Sequence, residues 1–403
     1  MRTLAVLSLH TSPLVQPGSG DSGGMNVYVR ELVSSLAQAG VESEVYVRRW
    51  DERLPEVVEV EPGFRVVHVP AGPEGLAKEK LPDIVEEFTD RVEARLRDRG
   101  DVDALHANYW LSGLAGHQLK HRLDLPLVST FHTLARVKAE TGDHEPQGRA
   151  DAETEIIGCS DAILASCPAE ANQLIELYGA TPERIELVPP GVDHAFFSPG
   201  DRRGARQALG LGDGPVLLFV GRIQPLKGVD VAIAALGLVR RRDAQLVVVG
   251  GPSGLEGDRE MAHARDLVAQ LGLTDRVRFV PPQPHHLLST YYRAADVCVV
   301  PSRSESFGLV ALEAAACGIP VVAAAVGGLR TLVRHGETGF LVDERDPAVY
   351  AARIDEVLDD PGLATVLGAQ ARELAAGYTW STTAARLRRL YADLTARSLV
   401  SCR

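Results

Sequence analysis

Short apolar runs alternate with helical patterns along nearly the whole chain, and this alternation limits the fold more than any other feature. In the first half the runs fall at 4–8, 43–48, 65–69, 103–106, 127–131 and 162–166. In the second half they fall at 216–220, 245–250, 277–280, 297–300, 320–323 and 340–342. Apolar strands interleaved with helices predict α/β architecture with parallel sheets. The helix expected after the first glycine loop carries its buried stripe at Val29, Leu32, Val33 and Leu36, with Gly40 as a stop. At 403 residues the chain exceeds a single compact core and suits two domains of roughly 200 residues each. Pro- and Gly-rich sequence around 188–204 marks the boundary, giving domains 1–194 and 195–377 and a terminal segment 378–403 whose helix spans 382–397. Two doubly wound units would place a cleft between the carboxyl ends of their strands, where ligands of such sheets bind.

Composition excludes several classes. Apolar residues make up 45% and charged residues 24%, as in ordinary soluble globular proteins. A net charge of −12 argues against nucleic acid and anionic membranes as partners, so anionic ligands need local basic clusters. The five cysteines, Cys159, Cys167, Cys298, Cys317 and Cys402, show no metal-ligand spacing and read as reduced thiols of a cytoplasmic protein. The N-terminus runs into a strand without signal-peptide features, and no apolar run approaches the ~20 residues that span a bilayer.

Glu305 and Glu313 frame the stretch E-S-F-G-L-V-A-L-E, which follows the run at 297–300 and a Pro-Ser pair. A helix opening there would present backbone amides from Ser306, Phe307, Gly308 and Leu309 to a diphosphate. Were the interval wholly helical, the two carboxylates would stand about 12 Å apart along the axis and within one quadrant. Glu313 could then accept ribose hydroxyls and Glu305 sugar hydroxyls. A capped helix with two surface glutamates explains the segment equally well by itself.

Three further constellations accompany it. The glycine loop G-S-G-D-S-G-G-M-N at 18–26 includes Gly23, Gly24 and Asn26 and opens a helix, but its spacing is not that of nicotinamide-dinucleotide sites. G-R-I-Q-P-L-K-G at 221–228 sets Arg222 and Lys227 at a strand end, a fork and a point charge suited to a diphosphate. Lys78, Tyr109, Thr133 and Arg149 are the donor types that a phosphate on a second substrate requires, although sequence alone cannot show that they converge. His132, His10 and His106 end strand-like runs, where a structural histidine is the commoner case. The turn G-G-P-S-G at 250–254 reads first as a turn and second as cleft lining.

In this order, these segments resemble the retaining GT-B glycosyltransferases that use nucleotide sugars. The stretches H-T-S-P at 10–13, G-D-S-G-G-M-N-V-Y at 20–28, H-A-N-Y-W at 106–110 and H-T-L at 132–134 are most similar to D-inositol-3-phosphate glycosyltransferases of mycothiol biosynthesis in actinobacteria. The resemblance implies two Rossmann-like domains facing across a cleft, with the terminal helix crossing back towards the first. It implies that Arg222 and Lys227 bind the donor diphosphate, and that Glu313 holds the ribose and Glu305 the transferred sugar. His132 would lie against that sugar, and the base would be met near Gln283. Gly23 and Gly24 line the donor side. Lys78, Tyr109, Thr133 and Arg149 would take the acceptor phosphate, and Asn26 and Asn108 the inositol. The implied reaction moves N-acetylglucosamine from its UDP carrier to 1D-myo-inositol 3-phosphate with retention, with His132, Arg222, Lys227 and Glu305 closest to the chemistry.

The UDP-sugar is then a substrate; no cofactor or catalytic metal is expected, and a homodimer is compatible with the sequence. Two departures from the family pattern stand out. The stretch between Thr133 and Arg149 is shorter than in the mycothiol enzymes, and Arg330 follows Gly327-Gly328 where those enzymes carry proline. The alternatives are a paralogue with another nucleotide sugar and another small acceptor, of the sucrose-phosphate synthase kind or from specialised metabolism, a sugar-nucleotide epimerase or hydrolase, and a non-catalytic binding protein.

Overall fold

The computed structural model describes every residue except Met1, Ser19, Asp21, Thr141, Asp143, His144, residues 254–256 and Arg403. Gly254 of the 250–254 turn and two members of the glycine loop therefore lie outside the described residues. The chain divides into two compact units. The first comprises the N-terminal segment up to Val15, Met25–Pro190 and the segment from Trp380 onward; the second comprises Gln16–Gly24 and Gly191–Thr379.

The first unit is built on eight strands: β1 Thr3–Leu7, β2 Glu42–Arg49, β3 Val57–Glu61, β4 Phe64–Pro70, β5 Ala104–Asn108, β6 Leu127–Thr130, β7 Ala162–Ala165 and β8 Ile185–Leu187. Their order is β3-β4-β2-β1-β5-β6-β7-β8, parallel throughout except for β3, which pairs antiparallel with β4. The second unit holds β9 Val216–Val220, β10 Gln245–Val249, β11 Val277–Val280, β12 Val297–Val300, β13 Val321–Ala324 and β14 Gly339–Val342, all parallel, in the order β11-β10-β9-β12-β13-β14. Each sheet reverses its winding at one place, between β1 and β5 in the first and between β9 and β12 in the second. Chains leaving neighbouring strands there part to opposite faces, so a crevice opens at their carboxyl ends.

Twelve strands coincide with the apolar runs. The two that sequence patterns did not reveal are edge strands. The outer edge of β3 is unpaired and its V-V-E-V-E leaves no side chain buried; β8, at the other edge, has three residues. Edge strands tolerate charge and need no continuous apolar run.

Helices cover both faces of each sheet. On one face of the first, Leu7, Leu105, Leu127 and Ile163 pack with Phe88 and Ile156. On the other, Leu4, Val6, Val45 and Val128 meet Val29, Leu32, Val33 and Leu36, together with Trp380, Leu387 and Tyr391 of the terminal helix Trp380–Thr395. In the second unit Leu217, Phe219, Leu246 and Val322 pack with Ile233, Leu236, Tyr350 and Ile354.

The terminal helix explains His106. Its Nδ1 lies 2.7 Å from the Tyr391 hydroxyl and its Nε2 lies 2.8 Å from Thr130 Oγ1. Burial pushes its pKa down to about 3. His106 is a satisfied core residue.

One expectation fails here. Cys159 and Cys402 are joined as a disulfide with Cα atoms 5.1 Å apart, so the cysteines are not all separate thiols. They are 243 residues apart in sequence and meet only because the tail returns to the first unit, which local spacing cannot show. Cys167, Cys298 and Cys317 are buried and take no part in a disulfide. Among the described residues no helix is long and apolar enough to cross a membrane.

Candidate active site

In the second unit, strands β9 and β12 on either side of the reversal carry the predicted cationic and acidic segments. After β9 the chain turns through Gly221 and Arg222 into the 3-10 turn Pro225–Lys227. After β12 it runs through Pro301 and Ser302 to Glu305. Lys227 Nζ donates to Glu305 Oε2 at 2.6 Å, and Ser302 Oγ reaches the same oxygen at 3.3 Å. Both charged side chains remain partly exposed.

Arg222 Nη1 contacts the Gly20 carbonyl at 3.3 Å and Ser253 Oγ at 3.1 Å, while Gly251 N–H donates to Gly18 O at 2.9 Å. The described loop residues up to Gly24 are thereby tied to the ends of β9 and β10 and belong to the second unit, whereas Met25 and Asn26 belong to the first. A Cβ at Gly23 would stand 3.1 Å from Arg222 Nε, and one at Gly24 would stand 3.5 Å from Leu309 Cδ1. Both glycines therefore let the loop lie against the predicted donor residues.

The helix after Glu305 begins later than the sequence suggested. It spans Leu309–Ala316, with Gly308 as N-cap at φ +104. Ser306, Phe307 and Gly308 precede it as an open turn, so the axial spacing expected of a continuous helix does not apply to Glu305. A left-handed residue at 308 stops helical pairing from extending backward, and a Cβ there would meet Leu329 Cδ2 at 2.7 Å. Gly328 N–H donates to the Glu305 carbonyl at 3.0 Å, which fixes the height of this turn. Arg330, at the departure from the family pattern, is exposed and pairs with Asp343 at 2.9 Å.

Glu313 sits in the helix, only 5% exposed. Its Oε2 accepts from the Tyr292 hydroxyl at 2.7 Å and its Oε1 lies 2.7 Å from His285 Nε2. It is thus a held carboxylate rather than a surface one. Gln283 is half-buried in the loop before His285 and donates to Pro281 O at 2.9 Å.

In the first unit, β5 and β6 deliver the second group. Tyr109 and His132 follow them at φ +75 and φ +61. Left-handed backbone at bulky residues is uncommon and is retained where surrounding structure forces it. Arg149, 1% exposed, opens the helix Arg149–Cys159. Its Nη1 reaches the Tyr109 hydroxyl at 3.2 Å, and its Nη2 reaches Thr133 Oγ1 at 3.0 Å and Thr133 O at 2.7 Å. Its guanidinium lies 4.8 Å over the Tyr109 ring. Three of the four predicted phosphate ligands are therefore in direct contact. Lys78 stands on a different element, exposed at the start of the turn Lys78–Ile84.

His132 Nε2 lies 2.9 Å from Asn108 Oδ1, and the ring meets Tyr28 edge-on with centroids 4.9 Å apart. Enclosure of the ring, then the neighbouring His106, pushes its pKa down to about 3, so it is a neutral hydrogen-bonding group at physiological pH. Asn108 is fully buried, and its Nδ2 has no hydrogen-bond partner among the described residues. A buried amide donor without a partner is costly unless a ligand takes it. The Asn26 amide, by contrast, donates to Thr11 Oγ1 and Ser12 O at 2.6 Å each, which pins the chain after β1.

Sequence reasoning missed the carboxylates around Arg149. Glu153, fully buried, accepts from Arg149 Nε at 2.7 Å and from Ala135 N–H at 2.9 Å. Glu145 bridges Arg149 Nη1 and Lys138 Nζ. Burial works to raise the Glu145 carboxyl, but Arg149 and Lys138 outweigh it and hold it below its ordinary value. The signal was present for Glu153 as R-x3-E, the four-residue spacing of helical ion pairs, whereas Glu145 precedes the helix. Tyr292 and His285 on Glu313, and Ser253 on Arg222, had no local signal.

An anionic-ligand segment at the winding reversal of one α/β unit, and a phosphate-type donor cluster at that of another, define a GT-B glycosyltransferase. Family models agree. Residues 22–196 match Glycosyltransferase Family 4, and residues 201–374 match Glycosyl transferases group 1. The D-inositol 3-phosphate glycosyltransferase of Thermobispora bispora is 48% identical over 97% of this chain and 94% of its own. That of Geodermatophilus obscurus is 50% identical over 95% of this chain and 87% of its own. The chain belongs to this glycosyltransferase family.

Among solved structures, sucrose-phosphate synthase from Thermosynechococcus elongatus is 35% identical with TM-score 0.93, covering 98% of this chain and 100% of that one. Anabaena HepE in complex with UDP-glucose is 20% identical with TM-score 0.79 over 98% and 100%, a likeness of fold.

Proposed function

We propose that the protein transfers N-acetylglucosamine from UDP-N-acetylglucosamine to 1D-myo-inositol 3-phosphate, with retention of configuration and in the cytoplasm. The observation that carries this reading is the joining of Tyr109, Thr133 and Arg149 into one donor cluster, which suits an acceptor phosphate. The unpartnered Asn108 amide beside neutral His132 suits hydroxyls of a polyol or sugar. The names of the relatives point to the same acceptor.

On this reading Arg222 and Lys227 take the donor diphosphate, Glu305 the sugar and Glu313 the ribose. The acceptor oxygen forms its bond to the anomeric carbon on the face from which the diphosphate departs. The bond to the diphosphate oxygen breaks, the electron pair leaves with UDP, and a donor phosphate oxygen receives the acceptor proton. The side chains supply orientation and stabilise the charge of the leaving group. Arg222, Lys227 and the backbone amides near Leu309 supply positive potential, so the reading requires no metal for catalysis.

A sugar-phosphate acceptor is the second reading, favoured by the 35% identity to sucrose-phosphate synthase. UDP- and GDP-sugars offered with inositol 3-phosphate and with sugar phosphates, and followed by mass spectrometry, separate the two. An N-acetylglucosaminyl-inositol phosphate product with the α linkage of the donor supports the proposal. A product only with sugar phosphates, or release of UDP or an epimer from donor alone, refutes it.

A further inference from the structure

Four metal-ligating side chains meet in the first unit, away from the groups used above. His117 and His121 lie four residues apart on one face of the helix Trp110–Leu123, with ring centroids 5.0 Å apart. Cys159 is the buried last residue of the helix Arg149–Cys159, and Cys402 comes from the C-terminal tail. One ligand atom from each of the four residues lies within 4.8 Å of all the others. His121 Nε2 is 3.1 Å from Cys402 Sγ and 3.6 Å from Cys159 Sγ. Tyr109 caps the opposite end of the same helix, twelve residues or about 18 Å along the axis from His121.

A tetrahedral zinc site with Zn–S near 2.3 Å and Zn–N near 2.0–2.1 Å has ligand-to-ligand edges of about 3.3–3.8 Å. The two imidazole–sulfur distances sit close to that range. His117 Nδ1 also lies 3.3 Å from Glu155 Oε1. A carboxylate on the second ring nitrogen fixes the tautomer and turns Nε2 outward, the usual support for a metal-bound histidine. A disulfide between Cys159 and Cys402 explains neither imidazole nor this carboxylate.

The tail is brought to the cluster independently of its cysteine. Val400 N–H donates to Asp161 Oδ1 at 2.7 Å, while Asp161 Oδ2 accepts from Lys120 Nζ and Leu127 N–H at 2.8 Å each. Lys120 Nζ also donates to the Cys159 carbonyl at 2.7 Å. The Lys120–Asp161 pair is neutral overall, so the cluster faces no excess positive charge from it.

We propose that His117, His121, Cys159 and Cys402 form a closed Cys2His2 site for Zn2+ or a similar borderline-soft divalent ion, which clamps the C-terminal tail to the first unit. The disulfide is the oxidised form of the same site. A dithiol supplies two electrons and two protons to the Cys159–Cys402 bond and itself becomes a disulfide. Metal binding then releases two protons as both thiols become thiolates, leaving a site of zero net charge. The 5.1 Å between the Cα atoms serves both states, because side-chain rotation alone separates the sulfurs.

The test uses the full chain, reduced with a dithiol and handled without oxygen. Zinc content is measured after dialysis, and Co2+ uptake is followed by visible absorption. The expected result is one zinc per chain and a tetrahedral Co2+ spectrum with thiolate charge transfer. Cys402→Ser and His121→Ala should lose both while keeping transferase activity and the helical circular dichroism of the parent. Glu155→Gln, which keeps all four ligands, should weaken Co2+ binding by about 10–100-fold and serves if a ligand variant does not fold. The proposal is overturned if the reduced chain holds no stoichiometric zinc. It is equally overturned by an octahedral Co2+ spectrum, or by uptake that His121→Ala and Glu155→Gln leave unchanged. These readouts do not depend on which sugar or acceptor the enzyme uses.

Discussion

Replacing Glu145 by glutamine should tighten the enzyme's hold on a phosphorylated acceptor. Glu145 bridges Lys138 and Arg149, and its side chain is 12% exposed against 1% for Arg149. With Glu153 on Arg149 Nε, the group comprises two cations and two carboxylates and is neutral as a whole. A phosphate that approaches Arg149 Nη1 must displace the Glu145 oxygen, whereas Glu153 can stay where it is. A charge-assisted hydrogen bond is worth about 1.5–3 kcal/mol. Glutamine keeps a neutral acceptor there, so the gain is about 1–2 kcal/mol, or roughly 5–30-fold in affinity.

The assay is initial rate against acceptor concentration at saturating donor, with inositol 3-phosphate and phosphate-free inositol compared. KM should fall for the first and not for the second. An unchanged or raised KM for the phosphorylated acceptor, or an equal change for both, would refute the competition. Stability moves the other way. The folded-state pKa of Glu145 is depressed, so its contribution is fully present above the unfolded value near 4.3 and is lost as pH falls through the lower folded value. The variant should melt below the parent at neutral pH, with the gap closing below about pH 4.

Two further outcomes concern the second unit. Lys227→Ala should lower kcat/KM by about 10²–10³ while shifting the melting temperature little, because its pair with Glu305 is only partly buried; kcat/KM near the parent value would remove Lys227 from charge stabilisation. Gly327→Ala puts a Cβ 1.9 Å from the Glu305 carbonyl oxygen at a residue with φ +44, and should cost about 1–3 kcal/mol and raise donor KM. A folded Gly327→Ala protein with the parent donor KM would show that this contact does not set the position of Glu305.

The fold was largely legible because strands buried between helical layers are rich in apolar residues, and twelve of the strands coincide with apolar runs. What escaped was set by distant partners. β3 carries glutamates because it is an edge, and the glycine loop at 16–24 joins the second unit through hydrogen bonds to Gly251 and Ser253 that chain order does not suggest. At the candidate site, residue types singled out Arg222, Lys227, Glu305 and Arg149. They did not reveal that Glu313 would be held by Tyr292 and His285, nor that the helix would wait until Leu309. Gly308 makes that delay understandable afterwards, since only a left-handed residue lets the turn bend around Leu329. His106 and His132 looked alike in sequence. Tyr391, almost three hundred residues away, separates their roles.

Because Trp380, Leu387 and Tyr391 complete the first core, the second unit is an insertion in a fold whose closing element is translated after it. A nascent chain must carry that core without these three side chains throughout synthesis of residues 191–379. The inserted unit has its own core and can fold during that interval, whereas the first waits for the helix Trp380–Thr395. Termination after Thr379 but within the helix Trp380–Thr395 would therefore leave a complete second unit joined to an unfinished, aggregation-prone first unit. For the same reason, a fusion placed at the C-terminus loads the element that closes the first core.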